Sequence, residues 1–113
     1  MNNNPQDKTA KYLTFTPAAD VIEQPQGWKI LIDMPGAGEE DLDVQLNDQL
    51  LQIAAPTSLT HHGATVKYER SFQLSDEIDR AQIKATLKDG VLEMSLPKAE
   101  SARVRKIEVC RAS

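Results

Sequence analysis

The feature that most constrains this chain is an apolar period of two, repeatedly cut short by turn residues. In "GWKILIDMPG", Trp28, Ile30, Ile32 and Met34 fall on one side of an extended chain, Lys29 and Asp33 fall on the other, and Pro35-Gly36 ends the run. Side chains of a strand alternate between faces, so this pattern specifies a strand with one buried face. "ADVIEQ" precedes it across Pro25-Gln26-Gly27, which predicts a hairpin. "LDVQLNDQLLQIAA" predicts a second: Leu42, Val44 and Leu46 alternate, Asn47-Asp48 turns, and Leu51 and Ile53 continue. In "ATLKDGVLEMSL" the apolar pattern stops at Lys88-Asp89-Gly90 and resumes at Val91-Leu92. Asp-Gly readily supplies the positive φ of a two-residue hairpin turn, so this too reads as a hairpin.

Roughly seven or eight short strands at this spacing, with almost no helix, indicate an antiparallel, immunoglobulin-like β-sandwich. At 113 residues the chain is one domain with no room for a separate cofactor domain. Aromatic residues make up only 4%, so the core must come from Leu, Ile, Val and Ala, which suits stacked sheets. A net charge of −4 argues against a phosphate-binding surface, so nucleic acid is not an expected partner. Cys110 is the only cysteine, which rules out an intrachain disulfide and fits a reducing cytoplasm. No run approaches the roughly 18 apolar residues of a membrane span, and "MNNNPQDKTAK" lacks an export signal's apolar core. A cytoplasmic location is expected.

Residues 1–15 read as a short N-terminal arm, polar and disordered up to Lys11. Its Tyr12, Leu13 and Phe15 form either a recognition segment or a patch that packs back on the domain. The domain runs over 16–98, and 99–113 form a flexible extension. "PTSLTHHGAT", Pro56 to Thr65, is polar and reads as a loop. In "VKYERSFQL", Val66, Tyr68, Phe72 and Leu74 share a face with Arg70, a cation that must find a carboxylate, water or a partner chain. Ser75 offers an N-cap for a turn of helix.

With these residues in place, a family resemblance emerges. Ala85, Asp89, Gly90, Val91 and Leu92 fill the A-x-x-x-[D/N]-G-V-L signature of the alpha-crystallin domain, followed by an apolar strand and Pro97. "TPAADVIEQPQGWKILIDMPG" resembles that family's opening and its D-[M/L/V]-P-G turn, and "YERSFQL" resembles the strand carrying its arginine. Ile107-Glu108-Val109 is similar to the I-x-I/V anchor of small heat-shock proteins. The resemblance spans about residues 16 to 109. It implies an ATP-independent holdase that binds partly unfolded clients in the stress response, forms homodimers and assembles into larger oligomers.

The implied anchor site is an apolar groove between the strand near Leu46 and the closing hairpin, with Gly90, Val91, Leu92 and Met94. An extended Ile107-x-Val109 presents both side chains on one face. The family's swapped loop strand has no good counterpart, since Pro56, Gly63, Ser, Thr and His fill the span from Ile53 to Val66. Dimerisation is therefore expected through pairing of the 66–74 strand with its copy. Tyr68, Glu69 and Arg70 would then lie at the interface.

Other candidates carry less. His61-His62 lack a third metal ligand, Glu39-Glu40-Asp41 with Asp43 read as a charged turn, and "GAGEED" lacks the context of a dinucleotide fingerprint. Cys110 has no activating neighbours in the sequence. No nucleophile with a base and no paired acids appear, so neither catalysis nor a cofactor is expected. The competing function is a co-chaperone-type sandwich module that docks on a folded chaperone. The Ile-x-Val tail and the A-x-x-x-D-G-V-L hairpin argue against it.

Overall fold

The computed structural model describes residues 11–102 and 107–112. Eight strands follow in order: β1 (Tyr12–Phe15), β2 (Ala19–Gln24), β3 (Gly27–Asp33), β4 (Asp43–Asn47), β5 (Leu50–His61), β6 (Ala64–Gln73), β7 (Lys84–Lys88) and β8 (Val91–Pro97). They form two four-stranded sheets, β1-β6-β5-β4 and β2-β3-β8-β7. The antiparallel sandwich expected from the alternation is present. One pairing departs from it, since β1 runs parallel to β6.

The core lies where the period of two places it. Ile30 and Ile32 of β3, with Met34 just after it, face Leu51, Ile53 and Ala55 of β5, Val66 and Tyr68 of β6, and Leu92, Met94 and Leu96 of β8. No polar or charged residue is buried among the described ones. Full burial of one such aliphatic side chain is worth about 1.5–3 kcal/mol, so the stack across β3, β8 and β5 dominates stability.

The span read as a loop is instead β-structure. β5 continues to His61, β6 begins at Ala64, and His62-Gly63 joins them with positive φ at both residues, 51° and 81°. The register shifts between Pro56 and Thr60, where Thr57 Oγ1 donates to the Val66 carbonyl and accepts from the Leu59 N–H. Burial explains the misreading. Ser58 to His62 are exposed, so this arm is a strand without the apolar alternation that reveals strands in a sequence.

Two turns fall elsewhere than the sequence pattern predicts. Ser75 starts no helix; its hydroxyl accepts from the Glu77 N–H in a turn, and the 3₁₀ turn comes later, at Arg80–Gln82, where Asp79 caps Ala81. The turn after β4 falls at Asp48-Gln49, with Asp48 at φ 56°.

The Met34 N–H donates to the Gly90 carbonyl at 2.6 Å, extending the β3–β8 ladder, and between the sheets the Tyr68 hydroxyl donates to the Pro35 carbonyl at 2.9 Å. Asp89 and Gly90 have φ 52° and 77°, the pair of positive values that a type I′ turn needs. A Cβ on Gly90 would meet the Pro35 Cα at 3.2 Å, whereas one on Gly63, at nearly the same φ, would meet nothing within 4 Å. Gly63→Ala should therefore cost only backbone strain, about 1 kcal/mol. Gly90→Ala should cost more and Gly90→Val more again, up to about 3 kcal/mol. Thermal melts of the three variants decide this, and equal shifts would mean that the approach to Pro35 contributes nothing.

Burial also pushes the Tyr68 phenol above its usual value of 10.0. The folded chain then holds this proton more tightly than the unfolded chain. That contribution is complete below about pH 10 and is lost as pH rises through the folded value. Chemical denaturation at about pH 9 and 11 should show a smaller loss of stability in Tyr68→Phe than in the parent. An identical loss would contradict it.

Candidate functional site

The chain passes from β1 in one sheet to β2 in the other through residues 16–18, so those two edge strands lie on the same side of the sandwich. The opposite side is bounded by β4 and β7. Val44 and Leu46 of β4 and Leu87 of β7, with Ile83 just before it, are half-buried there and pack on the core. Sheet pleating puts Asp43, Gln45 and Asn47 on the outer face of one wall and Lys84, Thr86 and Lys88 on the other. The result is an apolar mouth with charged rims.

Leu46 lies on one wall of this mouth, and the closing strand contributes its floor rather than a wall. β8 sits inside its sheet, between β3 and β7. Leu92 and Met94 are completely buried and form the floor, Val91 points to the outer face, and Gly90 belongs to the turn. Val44, Ile83 and Leu87, which the sequence pattern places on strands but not in a groove, supply the walls. Their alternation was visible, but the order of strands within the sheet, which makes β7 the edge, is not local information. Ile107 and Val109 are 81% and 88% exposed and belong to no strand.

On the other side, the three residues expected at a dimer interface point in different directions. Glu69 faces outward and pairs with Lys67 of its own strand at 3.2 Å. Tyr68 is buried. Arg70 points inward opposite Ile53, donates from one terminal nitrogen to the Pro17 carbonyl at 2.8 Å, and lies 5.1 Å from the centre of the Phe72 ring. Its Nε is buried without an acceptor. Neither of the ion pairs Lys29–Glu93 and Lys67–Glu69 includes it. β1 occupies the β6 edge at Thr65–Tyr68, so among the described residues that edge has no partner strand beyond Tyr68.

His61 and His62 sit at the exposed hairpin tip with ring centres 4.2 Å apart, and His61 lies 5.9 Å from Phe15. Among the described residues no group of three or more His, Cys, Asp or Glu side chains could hold a metal ion. Cys110 is exposed and free. No described helix is long and apolar enough to cross a membrane.

The sandwich and its motifs match known proteins. The family model described as "Hsp20/alpha crystallin family" matches residues 20–110. A probable 15 kDa heat shock protein of Leptospira interrogans is 31% identical over 110 residues, covering 90% of this chain and 84% of that protein. A 17.7 kDa class II heat shock protein of Arabidopsis thaliana is 33% identical, covering 85% of this chain and 70% of that protein. Among solved structures, a small heat-shock protein from Xylella fastidiosa, whose structure is described as having a distinct high order, superposes with a TM-score of 0.67 at 26% identity, covering 86% of this chain and 98% of that one. Heat shock protein 16.0 from Schizosaccharomyces pombe shares the fold, with a TM-score of 0.67 at 21% identity over 86% of this chain and 99% of that one. The chain belongs to the Hsp20/alpha crystallin family, the small heat-shock proteins, and its role is that of a stress-response chaperone.

Proposed function

We propose that the protein is an ATP-independent holdase that captures partly unfolded proteins and assembles with copies of itself through weak, exchangeable contacts. The observation that carries this reading is the apolar mouth between β4 and β7 in a chain that also exposes Ile107 and Val109. The mouth accepts an extended segment with apolar residues two apart, the spacing that Ile107-Glu108-Val109 has.

Magnitudes favour reversibility. Burying Ile107 and Val109 gains about 3 to 6 kcal/mol at best. Association costs about 4 kcal/mol or more, so a single contact holds weakly and assembly rests on several linked ones. A mouth that empties often is open to a client.

A thermolabile client heated with this protein should show suppressed light scattering at near-stoichiometric ratios, identically with and without ATP. An ATP requirement, or suppression at catalytic ratios, would overturn the holdase reading. Replacing Ile107 and Val109 by Ser should shift assemblies larger than a dimer toward dimers in size-exclusion chromatography with light scattering. An unchanged distribution would show that the tail is not an anchor.

A further inference from the structure

β1 is the shortest strand of the sandwich. It spans four residues, "YLTF", of which only Leu13 is half-buried, while Tyr12 and Phe15 remain 50% and 40% exposed. The ordering entropy of the strand is set against that modest burial. Its attachments are the parallel register Tyr12↔Thr65 to Phe15↔Tyr68, the Thr65 N–H to the Lys11 carbonyl, and loose ring contacts to Lys67 and His61.

The edge beneath β1 is longer than β1 itself. The chain leaves β6 at Thr16-Pro17, where the Arg70 guanidinium grips the Pro17 carbonyl and turns the chain toward β2. At that departure a hollow of about 470 Å³ opens, lined by Thr14, Thr16, Glu69, Arg70 and Ser71. The buried Nε of Arg70 has no acceptor.

We propose that the β6 edge is a second client site, occupied at rest by the chain's own Tyr12–Phe15 and taken over by an extended client segment of the same chemistry. The occupant carries apolar or aromatic residues at alternate positions with small β-forming residues between, as Leu13, Thr14 and Phe15 do. Client apolar residues replace Leu13 and Phe15 beside Val66 and Tyr68. A segment that need not turn at a proline pairs onward past Glu69 into the hollow, gaining ladder hydrogen bonds that β1 does not make. β1 thereby shields an adhesive sheet edge until a competitor arrives. This inference rests on the holdase reading.

The test locks the strap. Thr14 and Lys67 are register partners on neighbouring strands, within the reach of a disulfide. Thr14→Cys with Lys67→Cys, in a Cys110→Ser background, gives a chain that closes on oxidation, confirmed by thiol titration. A second variant, Leu13→Ser with Phe15→Ser, loosens β1 without touching the core. The probe is a fluorescein-labelled peptide "YLTFTVT", followed by anisotropy. The reduced chain should bind it, the oxidised chain at least about tenfold more weakly, and the loosened variant more tightly than the parent. Equal binding by oxidised and reduced chains would overturn the proposal. So would a loosened variant that gains dimer but no peptide affinity, since the occupant would then be a second copy. Client light scattering on the same samples separates the two readings. A reduced chain that fails to protect the client contradicts the holdase reading, while protection and peptide binding both unchanged by the lock contradict only the strap.

Discussion

The structure depends on how the chain crosses between sheets at Met34–Ala37. This short segment is held from both sides. The Met34 N–H goes to the Gly90 carbonyl of the β7–β8 turn, the Pro35 carbonyl accepts the Tyr68 hydroxyl from β6, and the Gly36 carbonyl accepts the Ser58 N–H from the β5 arm. Ala37 adds an isolated bridge to Thr57. Gly36, at φ 85°, permits the turn and leaves room for Leu59, whose Cγ would lie 2.7 Å from a Cβ at that position. Two hairpins, β5–β6 and β7–β8, are thus tied to one turn, which fixes how the sheets stack and therefore which edges remain open.

From that arrangement follows a separation between what stabilises the molecule and what it offers to others. The dry aliphatic stack comes from the inner strands β3, β8, β5 and β6. The edge strands β1, β2, β4 and β7 are short and largely exposed, and Val21 and Ile22 of β2 are examples. On the proposed holdase reading, releasing clients without nucleotide needs sites whose occupancy changes without disturbing the core. Edge strands around an interlocked centre provide such sites, because strand addition uses backbone groups that the fold leaves unpaired.

The inner strands were legible in the sequence because burial writes itself as alternation. Trp28 to Met34 and Leu92 to Leu96 announced their faces, and Asp89-Gly90 announced its turn. The exposed arm of β5–β6 wrote no such signal, since Thr60 and His61 need no buried face to pair. β1 was obscure for another reason: four residues in a parallel pairing with a strand some fifty residues away have no local signature. The groove was partly legible. Leu46 lies on a wall of the mouth and Leu92 and Met94 lie beneath it, a difference of depth that the sequence does not carry because it does not say which strand of a hairpin lies outermost.

Native-state hydrogen exchange, read residue by residue, tests the separation of core from edges most directly. The amides of Ile30–Asp33 and Leu92–Leu96 should exchange only through global unfolding, while those of Leu13–Phe15 and the outward-facing half of β7 exchange through local opening at far lower free energy. Uniform protection, with β1 as slow as β3 and β8, would contradict the account.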